Sequence, residues 1–161
     1  MRATVVTVSD EVASGADTDR GGPVAVALLQ DLGWEVDHAV APDDPDRIAA
    51  AIQAATNLGS RLVLACGGTG IGPRDHSAEV VRSLVAFEIP GIAEEIRRQG
   101  LAHTAQALIS REIAGVIAGH GHPPVLVLAV PGSRGGVRDA IGVVGAHLGH
   151  IIEQLDGAGH T

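Results

Sequence analysis

The sequence has no lysine, and every one of its eleven basic side chains is arginine. A phosphate loop built around a lysine, a Schiff base and any lysine-attached cofactor are therefore excluded. Tyrosine is also absent, and Trp34 and Phe87 are the only aromatic residues, about 1% of the chain. The core must be built from Val, Leu, Ile and Ala, and the base-stacking platforms of single-strand binding are missing. A net charge of -8 argues against nucleic-acid backbones and anionic membrane surfaces as partners. Cys66 is the single cysteine, which excludes an intramolecular disulfide and a multi-cysteine zinc site. It reads as a small buried hydrophobe, with a reactive thiol as the alternative. Neither a charged-then-apolar leader nor an apolar run of membrane length is found, so a soluble, cytoplasmic protein is expected.

What is present is an alternation of strand-like and helix-like segments. Arg2 to Ser9 is β-branched and strand-like, Pro23 to Leu32 carries Val24, Leu28 and Leu32 at helical spacing, and Trp34 to Val40 reads as a second strand. Asp44 is placed as an N-cap with Pro45 at the first helical position, ahead of Ile48, Ile52 and Ala55 on one face. Leu62 to Cys66 is a short continuous apolar run, as expected of a strand buried on both faces. Ser77 is expected to cap a short helix to about Val85, and Pro90-Gly91 to break the chain before an arginine-rich helix ending near Gly100. Thr104 to Gly119 reads as a helical start followed by an irregular strand, and Val125 to Val130 as a buried strand. Val137, Ile141, Val144, Leu148, Ile151 and Leu155 predict one long C-terminal helix. The pattern predicts an α/β fold, a three-layer α/β/α sandwich around a mainly parallel sheet. One domain over residues 1–156 is expected, with 157–161 as a flexible tail.

In such a sheet the ligand crevice lies at the carboxyl ends of the strands. The loops that qualify carry Ser9, Asp10 and Asp19; Pro42 with Asp43; Gly67 to Asp75; and Pro131, Gly132 and Ser133. In Gly67-Gly68-Thr69-Gly70 the missing Cβ atoms let main-chain N–H groups face an anion of phosphate size. The carboxylate-rich loops beside it suit a hard divalent cation shared with phosphate oxygens. Asp43 and Asp75 are the metal-side or catalytic candidates, with helix capping or turn formation as the alternative role. Arg74 or Arg111, loop amides and one Mg²⁺ are expected to outweigh the diffuse negative charge, because charges beyond about 8 Å are screened at physiological salt. His120-Gly-His122 reads as an exposed turn, His147 and His150 as surface groups, and Glu94 with Arg98 as a helical pair.

Taken in order, Ser9-Asp10, Ser14-Gly15, Asp19-Arg20-Gly21, Pro42-Asp43, Gly67-Gly-Thr-Gly70 with Asp75, Ile89-Pro-Gly91, Leu108-Ile-Ser110-Arg111 and Pro131-Gly132-Ser133 resemble the successive motifs of molybdopterin adenylyltransferases and their MoaB-like relatives. The resemblance runs over nearly the whole chain. It implies transfer of AMP from Mg·ATP to the terminal phosphate of molybdopterin, with ATP as co-substrate, Mg²⁺ as cofactor and pyrophosphate as product. It further implies catalytic roles for Asp43, the tentative Mg²⁺ ligand, and Asp75. Ser9, Asp10, Asp19, Gly67, Gly68, Thr69, Gly70, Ser110, Arg111, Pro131, Gly132 and Ser133 fall at substrate-binding positions. A homotrimer and hand-over of the product to a molybdenum-insertion enzyme belong to the same expectation. Glu11, Cys66 and Arg134-Gly135-Gly136 depart from the family pattern, with Arg134 and Arg138 as substitutes for a lost lysine. These departures leave a second class open, a pterin- or nucleotide-binding paralogue with little or no transferase activity.

Overall fold

The computed structural model describes residues 1–158. Six strands and seven α-helices follow one another as β1 (Arg2–Val8), α1 (Asp10–Ser14), α2 (Gly22–Asp31), β2 (Glu35–Ala41), α3 (Pro45–Asn57), β3 (Leu62–Cys66), α4 (Ser77–Leu84), β4 (Phe87–Glu88), α5 (Pro90–Leu101), β5 (Ile113–Ile117), β6 (Val125–Val130), α6 (Arg134–Val144) and α7 (Leu148–Leu155). They form a single α/β domain around one sheet with strand order β2-β1-β3-β6-β5-β4. β2, β1, β3 and β6 run parallel, while β5 is antiparallel to both β6 and β4.

The period-two alternation of the strands divides the core into two layers. Val5, Leu64, Cys66, Leu128 and Val130 point to the side covered by α2, α5, α6 and α7. Val6, Val8, Val63, Ala65, Val127 and Ala129 point to the side covered by α3 and α4. β3 and β6 are buried along their whole length, which explains why each reads as an unbroken apolar run. The expected cap of α3 is present: the Asp44 side chain accepts the Arg47 amide at 3.0 Å, with Pro45 first in the helix.

Several local expectations are corrected. His76, not Ser77, occupies the N-cap of α4, because the Ser77 amide donates to the Gly68 carbonyl and pulls the helix start beneath the glycine loop. Pro90 opens α5 rather than ending a segment before it, since a first-turn proline has no hydrogen bond to lose. Arg98 pairs with Glu95, not Glu94, at 2.6 Å. The long C-terminal helix is divided by a 3₁₀ turn at Gly145–His147, although its apolar stripe continues from Val144 to Leu148 and Ile152. Gly157 and Ala158 hydrogen-bond back onto α7, and the remainder of the expected tail, 159–161, lies outside the described residues. Among the described residues, no helix is long and apolar enough to cross a membrane.

Candidate active site

The parallel strands deliver their following loops to one edge of the sheet, and the glycine loop sits in the middle of it. Gly67 has φ +117° and Gly68 φ +65°, a region that L side chains rarely adopt. A Cβ on Gly67 would overlap the Val8 carbonyl oxygen, so β1 and the loop approach as closely as backbone allows. Gly132 closes from the other side, where an added Cβ would lie 3.2 Å from Gly67 Cα. The Gly67 amide donates to the Val130 carbonyl at 2.9 Å and is thus part of the scaffold. The amides of Gly68, Thr69 and Gly70 have no protein acceptor among the described residues. They remain available as a short run of donors.

On one flank of this loop the acidic candidates meet. Asp10 and Asp43 exchange reciprocal bonds, each backbone amide donating to the other's carboxylate at 2.9 Å. Arg74 ties both together, through its Nε to Asp10 Oδ2 at 2.6 Å and its Nη2 to the Asp43 carbonyl at 3.1 Å. Asp75 accepts the Gly72 amide at 2.8 Å. Burial pushes the Asp43 carboxyl above the usual carboxylate range, the Asp10 amide pulls it back, and the charges of Asp10, Asp75 and Glu11 raise it further. Asp43 and Asp75 are thus brought within electrostatic reach of one another, and a dication between them would relieve that repulsion. Among the described residues no three His, Cys, Asp or Glu side chains form a complete metal cage. The donor set is all oxygen, and it fits Mg²⁺ held by one or two carboxylates with phosphate oxygens completing its shell.

The other candidates divide into contacts at the crevice and braces behind it. Ser9 caps α1, its Oγ accepting the Val12 amide at 3.3 Å. Asp19 accepts the Gly22 amide at the start of α2 at 2.9 Å and also accepts Thr7 Oγ1 at 2.5 Å, with His38 Nε2 at 3.1 Å. Ser133 caps α6 by accepting the Gly136 amide at 3.1 Å, and follows Pro131 and Gly132 out of β6. Because β5 is antiparallel, the segment before it reaches this same edge, placing Ser110 Oγ 3.2 Å from Thr69 Oγ1. Arg111 is a brace: its guanidinium donates to the Gly70 carbonyl at 2.6 Å and the Asp75 carbonyl at 2.9 Å, and pairs with Glu79. Arg111 and Arg74 are therefore engaged with protein oxygens. Arg134 lines a cavity of about 590 Å³ together with Ser9, Asp19 and Ser133. Arg138, the other expected lysine substitute, lines a different groove, between α5, α6 and α7, with His147 and His150.

Three residues at this edge escape sequence reasoning. His38 is brought to Asp19 only by pairing of β1 with β2. Glu112 and Asp139 line a second cavity, of about 320 Å³, with Thr69, Ser110 and Ser133. An acidic residue inside a mostly apolar segment, as at Glu112, is the one signal that could have marked them. Cys66 is buried, and burial raises its thiol well above the ordinary range, which makes it inert packing.

A mainly parallel sheet whose carboxyl edge combines free loop amides, a capped helix N-terminus and paired aspartates is the kind of setting in which α/β domains bind anionic small molecules. The chain belongs to the molybdenum cofactor biosynthesis family: residues 4–150 match the domain described as "Probable molybdopterin binding domain". It is 39% identical over 159 residues to a molybdenum cofactor biosynthesis bifunctional protein of Synechococcus elongatus, covering 98% of this chain and 48% of that protein. The chain thus spans about half the length of that relative. It is 31% identical over 150 residues to a molybdopterin adenylyltransferase of Pyrococcus furiosus, covering 92% of this chain and 88% of that one. The crystal structure of a molybdopterin biosynthesis protein from Mycobacterium abscessus superposes with a TM-score of 0.88 at 39% identity, covering 97% of this chain and 96% of that chain.

Proposed function

We propose that the chain transfers AMP from Mg·ATP to the terminal phosphate of molybdopterin. A phosphate oxygen of the pterin attacks the α-phosphorus of ATP, a new P–O bond forms, and the bond to the bridging oxygen breaks with its electron pair leaving on pyrophosphate. The nucleophile is already an anion, so the protein's work is positioning and charge neutralisation rather than proton abstraction. Mg²⁺, when bound, supplies neutralisation of the phosphate oxygens and of the departing pyrophosphate. Asp43 is the metal-side carboxylate, and Asp75, anchored by the Gly72 amide, orients the ligand or a metal-bound water. The amides of Gly68 to Gly70 and the N-terminus of α6 at Ser133 receive phosphate charge. Asp10 and Arg74 hold Asp43 in register.

The observation that carries this reading is the placement of Asp43 and Asp75 within each other's field beside unpaired loop amides. A binding protein for anionic ligands gains nothing from such acids without a cation. The second reading, binding without transfer, draws support from Arg74 and Arg111, whose guanidinium groups are committed to protein oxygens. One assay separates the two. The chain is incubated with molybdopterin, ATP and Mg²⁺, and adenylylated pterin and pyrophosphate are measured. Both products are expected, and Asp75→Asn is expected to abolish them while the protein stays folded. Products no higher than in a control without protein reject the transferase.

A further inference from the structure

Thr7 on β1, His38 on β2, Asp19 in the loop before α2 and Gly22 at the first turn of α2 converge on one point. A Cβ on Gly22 would overlap Asp19 Oδ2, Thr7 Oγ1 and His38 Nε2 at once, so the three side chains leave no room for a fourth. Asp19 Oδ1 accepts the Gly22 amide at 2.9 Å, while its Oδ2 accepts Thr7 Oγ1 at 2.5 Å and lies 3.1 Å from His38 Nε2. Thr7 has a single hydroxyl proton and gives it to Asp19. His38 Nε2, also 2.9 Å from Thr7 Oγ1, therefore faces only acceptor lone pairs and must carry a proton of its own. The Asp19 carboxylate thus receives three protein donors. Of these, His38 alone is accessible, because Thr7 and Gly22 are buried.

Asp19 also lines the cavity of about 590 Å³ that holds Ser133 and Arg134. Its loop is pressed against the chain leading into α6, since a Cβ on Gly21 would overlap the Gly132 carbonyl oxygen. Four charged groups line this cavity: Asp17, Asp19, Arg20 and Arg134. Asp17 lies 3.5 Å from Arg20, which leaves Asp19 and Arg134 as the second acid and the second base. These two are not paired, because Asp19 is turned toward β1 and β2 and held there. A carboxylate released from those donors would be drawn to the guanidinium across the cavity and would quench the charge that a phosphate needs. We propose that His38 is a positioning residue acting through Asp19: its Nε2–H keeps that carboxylate on the sheet and so keeps Arg134 free for a phosphate of the ligand. The role rests on the reading of Mg·ATP as co-substrate and adds a residue of the edge strand that touches neither substrate. It also gives Asp19 a different duty from a direct ligand contact, since its oxygens are engaged within the protein.

The test is binding, read separately from turnover. Mg·ATP is titrated by calorimetry into the unchanged full chain, His38→Leu, His38→Gln, Arg134→Ala and the double variant carrying His38→Leu with Arg134→Ala, and melting temperatures are measured alongside. His38→Leu is expected to weaken Mg·ATP binding roughly threefold to tenfold, between the loss of an exposed ion pair and that of a charge-assisted hydrogen bond. His38→Ala, read in the same way, covers the case in which the leucine variant does not fold. His38→Gln, whose side-chain amide presents an N–H where Nε2 lies, is expected to keep most of the affinity. In the Arg134→Ala chain the His38→Leu change is expected to cause no further loss, because the charge to be quenched is gone. A merely structural role predicts equal losses with and without Arg134, and that result overturns the proposal. Unchanged affinity in His38→Leu overturns it too, as does a glutamine variant as weak as the leucine one. Failure of the unchanged chain to bind Mg·ATP overturns this role and the transferase reading together. The expected coupling in a chain that transfers no AMP upholds the role of His38 and rejects the transferase, whereas AMP transfer with equal losses in both backgrounds does the reverse.

Discussion

Substituting Gly67 by alanine tests the claim that the glycine loop is first a packing device and only then a ligand cradle. Gly67 sits at φ +117°, and a Cβ there would overlap the Val8 carbonyl oxygen and approach its carbon to 3.3 Å. Holding a non-glycine residue in a sparsely populated region costs about 1–3 kcal/mol. Overpacking a tightly fitted site adds roughly 1–3 kcal/mol. A central loss of about 4 kcal/mol corresponds, for a chain of this size, to a fall in melting temperature of roughly 8–16 °C. Gly59→Ala is the control: φ there is +87°, but nothing lies within 4 Å of an added Cβ, so only the conformational part applies, about 1–2 kcal/mol. Urea and thermal unfolding followed by circular dichroism report both variants. A Gly67→Ala loss no greater than that of Gly59→Ala refutes the collision, and with it the view that β1 and the loop are joined through bare backbone.

Other outcomes follow from groups behind the crevice. Because the folded state raises the Asp43 carboxyl, ionising it opposes folding. Asp43→Asn keeps an oxygen for the Asp10 amide, and its stability relative to the unchanged protein is expected to rise as pH climbs from the ordinary carboxylate range through the raised value, and then to level off. A stability difference identical at pH 3 and pH 7 contradicts that assignment. Arg97→Ala strands the Glu112 carboxylate; with Arg97 28% exposed, the expected loss is about 2–4 kcal/mol, below the ~3–5 kcal/mol of a fully buried pair, and Glu112→Gln in the same chain should restore much of it. Cys66 is expected to resist an aromatic disulfide reagent until the chain unfolds, and rapid labelling of native protein by absorbance disproves its burial.

The order of the helices and parallel strands was legible wherever a layer imposed its own periodicity. β3 was read to the residue, because both its faces are covered and its ends are marked by Arg61 and Gly67. The cap at Asp44 was legible since it depends on neighbours in the chain. α1 and β4 were not, because five and two residues are too few for a period to emerge. The direction of β5 was equally hidden, since Ile113 to Val116 is buried whichever way it runs. That direction is what carries Ser110 to Thr69 and Glu112 to the cavity, so the part of the site it builds was only partly visible. Asp43 and Asp75 were picked out as residues, but their mutual field and the Asp10 brace are long-range facts. Gly67 shows the limit most clearly: its missing side chain signals a close approach without saying that the approaching atom belongs to Val8.

The absence of lysine acquires a structural meaning once the arginines are placed. Arg111 is held against Gly70, Asp75 and Glu79, Arg74 against Asp10 and Asp43, and Arg97 against Ser110 and Glu112. Each fixes backbone oxygens or carboxylates at the crevice, a task suited to a planar fork and poorly served by an ammonium. Of the guanidinium groups lining the cavities that meet at Ser133, Arg134 alone has no acidic or carbonyl partner among the described residues. Positive charge is thus used up in shaping the site, and very little is left to face a ligand. A triphosphate bound there must bring its neutralising charge with it. Under the proposed function this is the purpose of Asp43 and Asp75 as acids, and it predicts that phosphate affinity depends on the divalent cation far more steeply than on any single arginine. The expected measurement is loss of ATP binding on chelation with Arg134→Ala causing only a modest decrease, and the reverse ranking refutes the argument.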